Sequence, residues 1–341
     1  MRAAYESAGE RVDLDCTPQW LWRVLEPGLA GRAGRDGLDG LDTTAGPDVT
    51  VKVESVREPF DTAGWQVLTR GAWQRPGQVV IANACSSGLD LQVTTTGRTL
   101  EVVARWRPPP SGRAASAVLR ARSALLLRAV LLQYPALWWS QQRGRVPLHA
   151  SVFTAGYSGG PTVLIAGPGG IGKSTLVNAE LAAGASATSD NVCVSDGRST
   201  WGLLEPRRVA DGEEGGDGRR MPHGRREAGW LDRADRLTPD LVVVLRRGTS
   251  SAGATTTRTC PPAQAARSLA AGTYMAGELR RYWSFAATLA AGTDLGPTHP
   301  AVELVALELT SRLPCLEVLL GERPTPSLES LLAGANQTAA H

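Results

Sequence analysis

The chain has 341 residues, and its 36 basic and 33 acidic side chains leave a net charge of only +3, which speaks against a one-sided basic surface for nucleic acid. That length is enough for two hydrophobic cores. The five cysteines, Cys16, Cys85, Cys193, Cys260 and Cys315, are scattered with no C-x-x-C pair, a pattern of reduced cytoplasmic thiols rather than of a disulfide framework or a zinc site.

Residues 1 to 47 hold an amphipathic stretch, "PQWLWRVLEPGLAG", and then a Gly- and Asp-dense segment that reads as a loop. This N-terminal segment does not join a basic start to an apolar run and a small-residue cleavage site, so no signal peptide is expected. From residue 48 the period becomes two: "VTVKVESV" places Val49, Val51 and Val53 on one face of a half-buried strand. "GQVVIANA", "LDLQVTTT" and "TLEVVARW" follow, the last two turning at Gly97-Arg98, and together they predict a small antiparallel sheet module. "RPPPSGR" breaks the chain before a helical pattern over about residues 115 to 133. The most apolar window, 123 to 139, contains Arg128 and Pro135 and is too short to span a bilayer, so a buried helix and no membrane partner are expected.

After "LHASVF", strands and helices alternate, which predicts an α/β layer. "SATSDNVCVSDGRSTWGL" reads as a strand and a hairpin turning at Asp196-Gly197. Residues 207 to 236 mix eight arginines with acids and glycines, the composition of a solvated loop. "DLVVVLRRG" is a buried-type strand, "AQAARSLAAGTYMAGELRRYWSFAATLAAG" is mostly helical, and "HPAVELVALELTSRL" leads as a helix into the strand "PCLEVLL". The resulting division is a β-rich (α+β) N-terminal domain over 1–110, a linker and bridging helix over 111–145, an α/β domain over 146–332 and a tail over 333–341.

Chemistry concentrates in "TVLIAGPGGIGKSTLVNAEL". Gly167, Pro168, Gly169, Gly170, Ile171, Gly172, Lys173 and Ser174, with Thr175 following, fit G-x-x-x-x-G-K-[ST] at every position, between an apolar strand and a helix. The glycines let successive backbone N–H groups converge on phosphate oxygens, the helix N-terminus adds its positive end, Lys173 can reach the β- and γ-phosphates, and the Ser174 hydroxyl can bind Mg²⁺. Lys173 is one of only two lysines; the other, Lys52, lies far from the motif. Nucleotide binding is the expectation.

The flanking pattern "LHASVF…GPGGIGKSTL…GASATSDNVCV" resembles the HPr kinase/phosphorylase family, whose kinase core is related to that of phosphoenolpyruvate carboxykinase. The likeness covers about residues 146 to 200 well and continues to about 332 only in layout; residues 1 to 145 do not resemble the family's N-terminal domain. It implies a P-loop HPr-kinase-like fold using ATP and Mg²⁺, with His149 near the transferred phosphoryl group and Asp190 as the carboxylate that binds metal or takes a proton. Asn191 stands where the family has its second acid, and an amide can bind Mg²⁺ but cannot accept a proton. Ser174, Asp190 and Asn191 are therefore the candidate metal ligands.

Cations for the transferred charge are sought in "RRMPHGRRE", where Arg225 and Arg226 are the choice, with Arg246 and Arg247 beyond a strand as further candidates. The family's dephosphorylating stretch is not recognisable, so the resemblance carries kinase activity alone. The different N-terminal module turns the expected acceptor away from HPr and towards a hydroxyl-bearing small molecule or peptide in a specialised biosynthetic pathway. A serine kinase acting on a carrier protein, and a nucleotide-gated regulatory protein without transfer, stay open. A partner-driving NTPase is disfavoured, because "DLVVVLRRG" ends in arginines rather than an acid. The tryptophans of the N-terminal half fit either an acceptor groove or core packing. The resemblance also admits a homo-oligomer.

Overall fold

The computed structural model describes residues 1–29, 46–210, 219–221, 224–248, 255–297, 300–321 and 327–332. Most of the Gly- and Asp-rich segment near residue 40, His223 and the tail 333–341 lie outside them.

The N-terminal part begins with β1 (Arg2–Ser7) and β2 (Glu10–Cys16), then α1 (Gln19–Leu29), β3 (Val49–Glu54), β4 (Gln66–Thr69), β5 (Ala72–Arg75), β6 (Gln78–Ile81), β7 (Leu89–Thr95) and β8 (Leu100–Trp106). They form one eight-stranded sheet in the order β1-β2-β3-β8-β7-β6-β5-β4. The sheet is mixed rather than antiparallel as its hairpin signals predict. β3 lies parallel to both β2 and β8, because the chain between β2 and β3 passes through α1 and so returns in the same direction. Val49, Val51 and Val53 are each 0% exposed, as their alternation requires, and burial of each contributes about 1.5–3 kcal/mol. The β1–β2 hairpin, unforeseen from sequence, turns at Ala8-Gly9, where both residues have positive φ; a Cβ at Gly9 would lie 2.6 Å from an Arg145 nitrogen.

Two helices, α2 (Pro110–Val118) and α3 (Arg120–Arg128), lead through a π turn at Ala129–Gln133 into α4 (Tyr134–Trp139). The helix expected over about 115 to 133 is instead broken at Leu119 and by the π turn. It is buried from Val130 to Leu132, and every residue of α4 is buried; Trp138 and Trp139 are core, not groove.

The second part contains β9 (Val146–Leu148), β10 (Ala150–Thr154), β11 (Thr162–Ala166), α5 (Lys173–Ala182), β12 (Ala187–Ser189), β13 (Cys193–Ser195), β14 (Thr200–Gly202) and β15 (Arg207–Ala210). There follow β16 (Arg220–Met221), β17 (Arg225–Ala228), β18 (Arg236–Leu237), β19 (Leu241–Arg247), β20 (Thr256–Thr259), α6 (Pro262–Met275), α7 (Arg280–Thr293), α8 (Val302–Arg312) and β21 (Cys315–Leu320). A six-stranded sheet, β12-β10-β11-β19-β21-β20, is flanked by a four-stranded one, β18-β14-β13-β9, and a three-stranded one, β15-β17-β16. In the larger sheet β11, β19 and β21 run parallel, and β11 and β19 are almost continuously apolar, as strands covered on both faces must be. The α/β expectation holds at this level.

The described residues between 207 and 236 are not the solvated loop that the composition predicts. Three short strands pair there, and Arg207, Glu227 and Arg233 are buried. Arg208 and Glu227 take their charged partners, Glu278 and Arg128, from other segments, which no local composition reveals. Arg128 of α3 reaches Glu227 of β17 at 2.5 Å and donates to the Val24 carbonyl of α1 at 2.7 Å, joining three segments distant in sequence. Helix α7 belongs to the second half in sequence, yet its Tyr282, Phe285 and Leu289 share a core with the N-terminal sheet. Glu10 of β2 is gripped by Arg143 and Arg145, each at 2.9 Å.

Candidate functional site

The phosphate-binding motif forms the loop between β11 and α5. Gly170 and Gly172 have φ of 76° and 115°, and a Cβ at Gly167 would stand 3.0 Å from the Leu245 carbonyl oxygen of β19. Ile171 is buried and anchors the loop, while Pro168, Gly169 and Gly170 are exposed; nothing lies within 4 Å of a Cβ built at Gly169 or Gly170. The loop is thus a cradle open over its middle, ending at the first turn of a helix. Lys173 curls back over it, donating to the Gly167 carbonyl at 2.7 Å and the Pro168 carbonyl at 3.2 Å. From the end of β19, Arg247 donates to the Gly170 carbonyl at 3.4 Å.

Two strand switches build the floor beside this cradle. β9 and β10 belong to different sheets and are separated by His149 alone, while β12 and β13 make the same crossing through Asp190, Asn191 and Val192. β10 pairs with β12 and β13 with β9, so the two crossings lie side by side. The polar residues of both therefore meet: His149 Nε2 is 3.2 Å from Asn191 Oδ1. Ser151 donates to the Asp190 carbonyl at 2.7 Å and Ser174 approaches the same oxygen at 3.4 Å, tying the crossing to the first turn of α5.

The His149 ring sits between two groups drawn as acceptors, Asn191 Oδ1 and, at 3.3 Å from Nδ1, the Gly272 carbonyl of α6. Burial first, and the Lys173 charge second, lower the His149 pKa, so the ring is neutral and carries one N–H. With Nδ1–H donating to Gly272, Nε2 needs a donor, and the buried Asn191 Nδ2 has no partner in the orientation drawn. Rotating the amide by half a turn satisfies both groups and turns Oδ1 away from the ring.

Asp190 is 0% exposed. Its Oδ2 accepts from the Arg208 backbone N–H at 3.1 Å and its Oδ1 has no partner. Burial raises its pKa against the opposing pull of Arg208, Arg207 and Arg225. Burial also lowers Lys173 to about 8, with Glu278 and then Asp190 working in the other direction. Arg208 is central: burial opposes its charge, but Glu205, Asp190 and Glu278 outweigh that and keep the guanidinium charged. Its NH1 meets Glu278 Oε1 at 3.0 Å, and its NH2 meets Glu205 Oε2 at 3.5 Å. Glu205, buried beside Asp190 and Glu278, is pushed up to about 8 by that burial despite Arg208.

Of the residues singled out from sequence, Lys173, Ser174, His149, Asp190 and Asn191 converge at the cradle. Arg225 contributes through its field on Asp190, whereas Arg226 follows it on the same strand and faces the other way. Arg208, Glu205 and Glu278 were missed. Their only sequence signals are an Arg pair after "LLEP" and one acid in the turn "MAGEL", neither of which names a partner.

Ser174 Oγ, the unpartnered Asp190 Oδ1 and, in the rotated amide, Asn191 Oδ1 are oxygen donors of the kind Mg²⁺ takes. One or two protein oxygens suffice for that ion when phosphates and water complete its shell. Among the described residues no three His, Cys, Asp or Glu side chains form a self-sufficient metal cluster, and no helix is long and apolar enough to cross a membrane. Surface clefts lined by Arg57, Trp106 and Arg113, and by Arg198, Thr238 and Arg312, do not involve the loop. No protein-family model matches the chain and no curated protein matches it, so the resemblance to HPr kinases rests on the residues themselves.

Proposed function

We propose that the chain is a phosphotransferase of HPr-kinase type that moves the γ-phosphoryl group of ATP to a hydroxyl of a small molecule or peptide. The observation that carries this reading is the convergence of Lys173, Ser174, His149 and Asp190 from three separate segments onto the mouth of one glycine cradle. A nucleotide-binding switch needs the cradle; a buried carboxylate with a raised pKa and a free oxygen beside it is what transfer chemistry adds.

In this reading the backbone N–H groups of the loop and the α5 N-terminus bind the phosphate chain, and Lys173 exchanges its loop carbonyls for phosphate oxygens. Ser174, Asp190 and Asn191 would hold Mg²⁺, which would supply neutralisation of the phosphate charge. Arg247 at the loop, and Arg225 through Asp190, add positive field. A carboxylate takes the proton of the attacking hydroxyl, and neutral His149 orients the Asn191 amide. Excluding water from such a site strengthens each of these interactions.

The test is incubation of the protein with γ-labelled ATP, Mg²⁺ and hydroxyl-bearing peptides and metabolites. A labelled acceptor is expected, with Asp190→Asn retaining nucleotide binding and losing transfer by about 100-fold or more. The complete enclosure of Asp190 and the amide at 191 favour one competing reading, a nucleotide-gated regulatory protein. ATP binding with no labelled product, and an Asp190→Asn variant indistinguishable from the parent, would establish it instead.

A further inference from the structure

We infer that Glu278 supplies the carboxylate that position 191 lacks and receives the proton of the acceptor hydroxyl, an inference that rests on the phosphotransfer reading above. A general base has to come within hydrogen-bond reach of the proton it removes. Asp190 is 0% exposed, with one oxygen engaged by the Arg208 backbone, which suits a group that holds charge from below. Asn191 cannot accept a proton. Glu278 has a side chain 40% exposed, pairs with the same arginine, and acts on the charge of Lys173 in the cradle.

Its position is fixed by the fold. Helix α6 ends at Met275 and α7 begins at Arg280, and the turn between them is pinned by the buried Ala276 and Leu279. The Tyr134 hydroxyl donates to the Glu278 carbonyl at 3.2 Å, and Arg208 NH1 holds Oε1 at 3.0 Å. The last turns of α6 are fastened to the floor of the site, since His149 N–H donates to Thr273 Oγ1 at 2.9 Å and the His149 ring meets the Gly272 carbonyl. Arg208 engages Oε1, the carboxyl also meets its own backbone N–H, and with the side chain 40% exposed the group stays open to an incoming hydroxyl.

The titratable groups facing Glu278 are Arg208, neutral His149, Lys173, Glu205 and Tyr134. Burial works against ionisation of Glu278, but Arg208 outweighs it and draws the carboxyl below its usual range. Glu278 attracts the Lys173 ammonium more strongly than Asp190 does. As the acceptor oxygen forms its bond to the γ-phosphorus, the bond to the bridging oxygen breaks and its electron pair leaves with ADP. The O–H bond of the acceptor breaks in the same event, and its proton passes to Glu278 Oε2.

Water serves as a surrogate hydroxyl, so the experiment measures steady-state hydrolysis of MgATP by the full chain, alongside binding of a non-hydrolysable ATP analogue. Glu278→Gln, which still accepts from Arg208, is expected to lower kcat about 100-fold or more while analogue affinity stays within threefold. Glu278→Asp is expected to restore part of the rate, and the acid limb of the parent's pH–rate profile is expected to vanish in Glu278→Gln. Parent-like turnover in Glu278→Gln overturns the inference and leaves the kinase reading standing. A loss of rate matched by a loss of analogue affinity also overturns it, reducing Glu278 to a structural partner of Arg208. Absence of any turnover that depends on Lys173 overturns the kinase reading and this inference together.

Discussion

The two large sheets treat polar groups in opposite ways. In the N-terminal sheet, alternation puts valines and leucines inward, and the fully buried Glu10 is matched at once by Arg143 and Arg145. Around the six-stranded sheet, buried polar groups gather where strands end or change sheet, and several are left incompletely matched: Asp190 Oδ1, Glu205 Oε1 and Arg208 Nε have no hydrogen bond. An unmatched buried polar atom costs about 1–3 kcal/mol, so a cluster of them is retained only where something else requires it. The first sheet matches its buried charge, and the second gathers the candidate site.

Graded substitutions separate the roles of the two sheets. Arg128→Ala strips the buried Glu227 of its partner and should cost about 3–5 kcal/mol, loosening both halves, since Arg128 links α1, α3 and β17. Chemical denaturation would measure it, and a cost below 1 kcal/mol would remove the pair from the account. Leu91→Ala, in the fully buried centre of β7, should cost about 2–5 kcal/mol and leave nucleotide affinity unchanged. Loss of affinity there would mean that the first sheet also shapes the site.

The pH effects are smaller and have defined signs. Lys173 has its pKa lowered to about 8 in the free protein, so it binds phosphate as a cation below that pH. ATP affinity, followed by calorimetry, should be level to about pH 8 and then weaken by at most tenfold per unit. Glu205 has a folded pKa raised to about 8 from an ordinary 4.5, so the stability it contributes is complete below 4.5 and lost as pH rises through 8. The thermal midpoint should therefore fall by several degrees between pH 6 and pH 9, and Glu205→Gln should flatten that slope. Smallest of all, Val67→Thr on the exposed strand β4 should shift stability by less than about 0.5 kcal/mol.

What could be read from sequence follows the range of the interactions. The cradle was legible because one short segment carries its glycines, lysine and helix start. β3, β7 and β8 were legible from their period of two. The β1–β2 hairpin was not, because its turn uses Ala8 at positive φ, a residue that gives no turn signal. Residues 207 to 236 misled because Arg207 and Arg208 find partners in other segments, Asn178 and Glu278, and composition reads only neighbours in the chain. His149, Asp190 and Asn191 were found through resemblance to a family; the paired strand crossings that bring them together had no signature. Glu278 was hidden in a helical pattern, and only the break between α6 and α7 exposes it.

The central claim is that the cradle transfers phosphoryl groups. Its most direct test is a single-turnover reaction of γ-labelled ATP with the parent chain and with Lys173→Ala. The account predicts label on a hydroxyl acceptor with the parent, and a loss of about 100-fold or more in Lys173→Ala. Phosphate release at equal slow rates from both proteins, with no labelled acceptor, would contradict it.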